Sequence, residues 1–248
     1  MRLLVTGLSG TLAPVLARAA RAQGHAVVGL DHRLLPWTEP DRVRRYLDAQ
    51  RPDAVAHLAM ASAADAAALA AWAAHRGLPF VMTSTAMVFH HLPDGPHGVD
   101  DPRNAQDDYG RSKIATEDAV RAAHPQASVV RIGWQIDPEA QGNNMLRTLD
   151  AWQREHGEVA ASRAWTPACS YMADTAQALL ALLHRPGVHH VDSNAADGWH
   201  FAQLVAALAR QHQRADWRLR VHADYAHDQR LAGGDRWVPP LSARLGGY

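Results

Sequence analysis

Short strand-like apolar runs alternate along this chain with longer stretches of helical spacing, and that alternation restricts the fold more than any other feature. The strand-like runs are Leu3–Thr6, Ala26–Leu30, Ala54–Leu58, Phe80–Thr83 and Ser128–Ile132. Helical spacing fills the gaps near Leu12–Gln23, Asp41–Gln50, Ala63–His75 and Tyr109–Ala123. Strands that alternate with helices predict a parallel sheet whose crossovers are those helices. The expected class is therefore α/β, a doubly wound, Rossmann-like sheet. Such a sheet wants a third strand between residues 32 and 40, where only Leu34–Trp37 offers a short one. After Gly133 the pattern loosens. Helices near Asn144–Glu155, Met172–His184 and Phe201–Gln211 then enclose a short strand, Val188–Val191.

At 248 residues the chain fits one such domain with a small appendage. Lys+Arg 25 balances Asp+Glu 25, so nothing marks a nucleic-acid or membrane-surface protein. The alanine-rich stretch from Ala59 to Ala74 is broken by Ser62, Asp65 and Trp72, which predicts a packed helix rather than a membrane span. No signal peptide stands out at the start. The single cysteine, Cys169, forbids an internal disulfide and fits a reducing cytoplasm.

Directly after the first strand comes Thr6-Gly7-Leu8-Ser9-Gly10-Thr11-Leu12-Ala13. Gly7 permits a tight turn, Gly10 lets the backbone approach a pyrophosphate, and Ala13 allows close helix–strand packing. The N–H groups of Ser9, Gly10, Thr11 and Leu12 then open a helix whose positive end suits phosphate. The second strand ends in Gly29-Leu30-Asp31, an acid placed to accept from a ribose hydroxyl. Asp31 favours NAD(H), while His32 and Arg33 offer cations for the 2′-phosphate of NADP(H), so both cofactors stay open. Residues 1–135 are read as an NAD(P)-binding domain. Residues 136–248 are read as a small substrate-binding region, able to pack as one domain with it and expected to cap the carboxyl ends of the strands.

Twenty-four arginines stand against one lysine, Lys113, four residues after Tyr109. Positions i and i+4 share a helix face one turn apart. An ammonium is a compact charge on a flexible stem, whereas a guanidinium is a rigid fork. Beside a phenol it would draw the hydroxyl from its resting pKa of roughly 10 towards acid–base work near neutrality. Upstream, Phe80-Val81-Met82-Thr83 runs into Ser84-Thr85-Ala86-Met87-Val88-Phe89, which puts a hydroxyl at the carboxyl end of a strand.

With glycine loop, strand-end hydroxyl and Tyr-x-x-x-Lys in order, the chain resembles the extended short-chain dehydrogenase/reductases, and most closely their dTDP-4-dehydrorhamnose reductase family. Thr85-x-x-Val88-Phe89 is similar to that family's Ser-Thr-Asp-Tyr-Val-Phe segment, which makes Thr85 the catalytic hydroxyl. Tyr109-Gly110-Arg111-Ser112-Lys113-x-x-x-Glu117 is similar to its Tyr-Gly-x-Ser/Thr-Lys-x-x-x-Glu helix. Arg131-Ile132-Gly133-Trp134 stands where the family has Arg-Thr-Ser-Trp. The resemblance implies a catalytic set of Thr85, Tyr109 and Lys113, with Leu58, Ala59 and Met60 joining the cofactor contacts. It also implies substrate contacts from Thr85, Ala86, Met87, Tyr109 and Trp134, although a large aromatic after a strand is equally an ordinary core residue. The implied substrate is a nucleotide sugar bearing a ketone, and the implied assembly a homodimer through the Ala63–Ala74 and Tyr109 helices. Three departures stand out: His57 replaces the usual Asn, Ala86 replaces an acid, and the segment before Phe80 is short by roughly a helix.

Sixteen histidines invite a metal, but the adjacent pairs His90-His91 and His189-His190 lack ligand spacing, so no metal is expected. His90 and His91 lie just past the catalytic strand, within reach of a substrate. A keto-sugar-nucleotide reductase is the leading expectation. A 4-epimerase with the same three residues, or a cofactor-binding regulatory subunit without turnover, remains the alternative. A 4,6-dehydratase is disfavoured, because Ala86-Met87 stands where that chemistry pairs the Thr with Asp-Glu.

Overall fold

The computed structural model describes residues 1–246, so the last two residues of the expected substrate-binding region, 247 and 248, lie outside it. In chain order the first half forms β1 (Arg2–Thr6), α1 (Leu12–Ala22), β2 (Ala26–Leu30), α2 (Pro40–Gln50), β3 (Ala54–His57), α3 (Ala63–Ala74), β4 (Phe80–Thr85), α4 (Asp108–Ala123) and β5 (Ser128–Ile132). There follow β6 (Trp134–Ile136), α5 (Met145–His156), β7 (Val159–Ser162), β8 (Trp165–Thr166), β9 (Cys169–Tyr171), α6 (Met172–Leu182) and β10 (Gly187–Val191). The chain closes with α7 (Phe201–Gln211), β11 (Leu219–His222), β12 (His227–Asp228) and α8 (Leu241–Leu245). Among the described residues no helix is long and apolar enough to cross a membrane.

Six strands form the central parallel sheet in the order β10-β5-β4-β3-β1-β2. Leu3, Leu4 and Val5 on β1 are fully buried, as are Ala54 and Val55 on β3. Such uninterrupted apolar runs belong to strands covered on both faces. In register, Thr6 lies opposite both Leu30 and His57, so β1, β2 and β3 end level with one another. The helices start where the sequence supplies caps. Ser62 accepts from the Asp65 N–H at 3.1 Å to open α3, and Asp107 accepts from the Gly110 N–H at 2.8 Å to open α4.

The contacts divide the chain into two units. The first holds Met1–Ser84, Gln106–Val130 and Ala176–His189; the second holds Thr85–Ala105, Arg131–Thr175 and the chain from His190 onwards. A single cut after residue 135 does not describe this, because most of α6 and of β10 returns to the first unit while 85–105 leaves it. Around Phe80, Leu69 and Val129 the first unit buries one core; the second buries another around Phe201, Leu149 and Trp217.

Two expectations change. Leu34–Trp37 is not a strand: the Leu34 and Leu35 N–H groups both turn back onto the Asp31 carbonyl, at 3.1 and 2.9 Å. Pro36 removes a further donor, so four residues cannot sustain a ladder. β2 is therefore the sheet edge, and the Tyr46 hydroxyl donates to its Gly29 carbonyl at 2.5 Å. The thinly patterned C-terminal half contains three short parallel strand pairs, β6 with β9, β7 with β11 and β8 with β12. Strands of two to four residues carry too little periodicity to stand out.

The second unit is tied together by one acid. Asp192 is wholly buried and accepts from the backbone N–H groups of Cys169 (3.0 Å), Asn194 (2.8 Å) and Leu231 (3.0 Å). Burial pushes its carboxyl up to about 7, against the pull of those three donors. Asp192→Asn would turn an acceptor oxygen into an N–H₂ group facing a backbone N–H. The expected loss is about 2–3 kcal/mol, read as a lower urea midpoint at unchanged slope.

Candidate active site

The carboxyl ends of β1 and β3 lock together around one hydroxyl. Thr6 Oγ1 accepts from the Leu58 and Ala59 N–H groups, each at 3.1 Å, and lies 2.9 Å from His57 Nδ1. With both acceptor positions of the oxygen engaged, its single proton goes to Nδ1, which makes His57 a neutral imidazole protonated at Nε2. Burial, reinforced by the charge of Lys113, pushes this histidine down to about 4. The loop after Thr6 is then forced into close quarters. A Cβ on Gly7, whose φ is +80°, would sit 2.9 Å from the Ala59 nitrogen. The Gly10 N–H closes the turn onto the Gly7 carbonyl at 2.8 Å, immediately before α1.

Two cavities flank this loop within the first unit. One, of about 300 Å³, is lined by Gly7, Ser9, Asp31, Leu35 and Tyr46. The other, of about 530 Å³, is lined by Thr6, His32, Trp37, His57, Ala59 and Met60. Ser9, Gly10, His32, Arg33 and Met60 are exposed, and Gly7, Thr11, Leu12, Asp31, Leu58 and Ala59 are half-buried. Asp31 does not stand open as a simple ribose acceptor. The Arg33 guanidinium lies on it in a two-point pair, Nη2 to Oδ2 at 2.6 Å and Nε to Oδ1 at 3.0 Å. These hydrogen bonds hold the Asp31 carboxyl down at about 2. Trp37 and Tyr46 line these cavities and were not among the expected contacts. Trp37 lies in the segment that offered itself as a strand; Tyr46 reads as an ordinary helix residue.

The acid–base pair lies on α4. Tyr109, in its first turn, is 39% exposed, and Lys113, one turn on, is 9% exposed. Lys113 Nζ lies 6.0 Å from the centre of the Tyr109 ring and 3.5 Å from the Thr83 carbonyl on β4. Burial lowers the pKa of this lysine, and the carboxylate of Glu117 opposes that shift. Tyr109, Lys113 and all the cofactor candidates belong to the first unit; Thr85, Ala86, Met87 and Trp134 belong to the second. Thr85 Oγ1 accepts from the Met87 N–H at 3.2 Å, which leaves its proton available to donate. Met87 is exposed and Ala86 buried. Trp134 joins an aromatic cluster, its ring centre 6.1 Å from Phe201 and 6.3 Å from both Trp152 and Trp165.

His90 and His91 lie tilted against one another with ring centres 3.8 Å apart, and the His91 ring centre is 6.2 Å from that of His227. Among the described residues no group of three or more His, Cys, Asp or Glu side chains could hold a metal ion. Cys169 is buried, which pushes its thiol well above the ordinary range.

The model of the family described as the RmlD substrate binding domain matches residues 1–68 and 61–229. The chain belongs to that family. Among relatives, a dTDP-4-dehydrorhamnose reductase of Mycolicibacterium smegmatis is 31% identical over 229 residues, covering 84% of this chain and 68% of the relative. A probable dTDP-4,6-dihydroxy-2-methyloxan-3-one 4-ketoreductase of Streptomyces antibioticus is 31% identical over 231 residues, covering 84% and 77%. In fold the chain matches the crystal structure of a Bacillus anthracis dTDP-4-dehydrorhamnose reductase in complex with NADP, with a TM-score of 0.82 at 20% identity, covering 98% and 96%. The family resemblance carried by the Tyr109–Lys113 helix is therefore the right one.

His57 makes the pocket sensitive to acid. Its folded value, about 4, lies below the ordinary 6.5, so the unfolded chain binds a proton first as pH falls. The stability associated with the neutral ring is complete above pH 6.5 and lost progressively down to about pH 4. Urea titrations across that window should lose on the order of 3 kcal/mol to this residue, and His57→Asn should flatten that part of the profile.

Proposed function

We propose that this protein reduces the ketone of a nucleotide-linked sugar, using NADPH or NADH as its hydride donor. The observation that carries the reading is the Tyr109–Lys113 pair on α4, with the ammonium buried beside the Thr83 carbonyl of β4. Its family membership and the reductases among its relatives support the same activity.

The residues present fit a dinucleotide. Gly7 and Gly10 form a cradle that side chains would fill, since a Cβ on Gly10 would lie 3.1 Å from the Gly7 carbonyl. The amino end of α1 follows at once and suits a pyrophosphate. The cavity bounded by Trp37, His57 and Met60 is roomy enough for a purine. The Asp31–Arg33 pair offers a carboxylate for a ribose hydroxyl and a guanidinium for a 2′-phosphate. A reduced nicotinamide supplies the hydride when it is bound. The remaining steps fall to this chain. Tyr109 gives its hydroxyl proton to the oxygen on which negative charge develops. Lys113 favours the phenolate left behind by holding a positive charge near it. Thr85, with its own proton free to donate, orients that same oxygen. Trp134 offers an apolar face to the sugar ring.

Tyr109→Phe is the deciding variant. A reductase should lose 10²–10⁴-fold in kcat with NADPH or NADH affinity within about threefold of the parent. A regulatory subunit would show no turnover in either form, and an epimerase would return an isomer with no net oxidation of cofactor.

The homodimer belongs to the same reading. α3 and α4 pack side by side and turn Ala64, Ala68, Ala115 and Ala122 outwards, small enough for close approach of a second copy. Light scattering on the parent and on Ala68→Arg tests this. A parent of twice the chain mass that the arginine reduces to a monomer supports the dimer, and a monomeric parent refutes it.

A further inference from the structure

We propose that Tyr225 is a substrate-binding residue, its ring forming the platform on which the base of a nucleotide-linked substrate stacks. The inference rests on the reading of the protein as a reductase of nucleotide sugars, and it assigns the base end of that substrate a place in the second unit.

Tyr225 is 47% exposed and yet held in place. Its hydroxyl lies 3.1 Å from Nδ1 of the buried His227, and its backbone carbonyl accepts from Ser162 Oγ at 2.6 Å. Ser162 Oγ in turn accepts from the Ala164 N–H at 3.0 Å, and the His227 N–H donates to the Ala164 carbonyl at 3.0 Å. In the β8–β12 pair His227 stands opposite Trp165. Both of these rings meet Tyr225 nearly at right angles, Trp165 at 78° with centres 5.5 Å apart and His227 at 83° with centres 6.1 Å apart. Neither lies flat against the phenol, and its hydroxyl is engaged inwards. What Tyr225 offers to solvent is a ring already fixed, so little side-chain freedom is lost when a flat ligand settles on it.

A line of ring contacts joins Tyr225 to the substrate candidates of the same unit. In one direction Trp165 leads to Trp134, 6.3 Å on and inclined at only 25°. In the other, His227 leads to His91, 6.2 Å on, in the loop that follows Thr85 and Met87. Trp134 is the residue that offers its face to the sugar, and Tyr225 lies one aromatic residue beyond it. A ligand whose sugar rests on Trp134 therefore reaches Tyr225 with its other end.

That other end holds a diphosphate and a base, and the charge beside Tyr225 decides between them. The side chain of Asp224 is 88% exposed, 3.4 Å from His222 Nδ1. A carboxylate there repels a diphosphate and leaves a neutral base unaffected. Stacking on an aromatic ring is what every base can do, because each has a π face.

Calorimetric titration of the whole protein with dTDP, UDP and GDP, its cofactor site kept filled by NADPH, reads this site without turnover. The parent should bind at least one of the three. Tyr225→Ala should weaken that binding about tenfold, the ordinary loss for one base–aromatic stack, with NADPH affinity within about threefold of the parent. Tyr225→Phe keeps the ring and should bind within about threefold of the parent. A folded Tyr225→Ala protein with unchanged nucleotide affinity overturns the proposal, as does a parent that binds none of the three. Should Tyr225→Ala fail to fold, 3-fluorotyrosine labelling of the five tyrosines decides. The ¹⁹F signal that Tyr225→Phe removes should shift when the nucleotide is added, and an unmoved signal overturns the proposal. Turnover separates the two readings. A parent that reduces no keto sugar but binds a nucleoside diphosphate through Tyr225 loses the reductase reading and keeps the platform. Reduction with a nucleotide affinity indifferent to Tyr225 does the reverse.

Discussion

The hydroxyl of Thr6 is the point on which the cofactor end of the first unit depends. It accepts from the two N–H groups that follow β3 and donates to His57, so the loops after β1 and β3 are held at one separation. That separation leaves no room for a side chain on Gly7, and it leaves the backbone free to turn towards α1. A carboxamide at position 57 would offer an oxygen and an N–H₂ group. The imidazole instead offers one acceptor to Thr6 and one N–H on its far side. The imidazole therefore closes the strand-end bond and sets what this part of the larger cavity's wall presents.

How much of this was legible follows from how local each signal is. The glycine loop and the Tyr109–Lys113 turn are written within eight consecutive residues, so their elements and faces can be read directly. Strands β1, β3, β4 and β5 stand out because burial on both sides demands unbroken apolar runs. Leu34–Trp37 misled because four apolar or neutral residues satisfy a composition rule while Pro36 and the turn onto Asp31 defeat the ladder. The pairing of Arg33 with Asp31 was open to reading only as two residue types; which partner each prefers is a matter of side-chain geometry. Asp192 was invisible. Its three donors come from residues 169, 194 and 231, and nothing near position 192 announces them.

The charge arrangement has its own logic. Among the described residues arginine serves the exposed ion pairs of Asp31, Glu39 and Glu158, and on Asp31 its planar fork lies across the carboxylate. The one ammonium occurs where the environment is closed and the donor must be small. Arginine is also too basic to lose its proton, so it could not sit in a place where the balance between burial and a carboxylate sets the charge. The scarcity of lysine elsewhere and its presence at position 113 express the same preference.

The route of the chain through its two units bears on how the protein is made. Strand β10, from residue 187 onwards, closes the side of the central sheet beyond β5. While the chain is being synthesised, five strands can assemble as they emerge, yet β5 keeps a bare row of backbone donors and acceptors until β10 arrives. An open edge of that kind is the part of a nascent sheet most prone to pairing with the wrong neighbour. The delay also falls on a long loop closure, since residues 133–186, with the middle segment of the second unit, must be made between β5 and β10. Fragments ending before residue 187 should thus be poorly behaved however complete their nucleotide-binding motifs look, and the full chain gains its protection only late in synthesis.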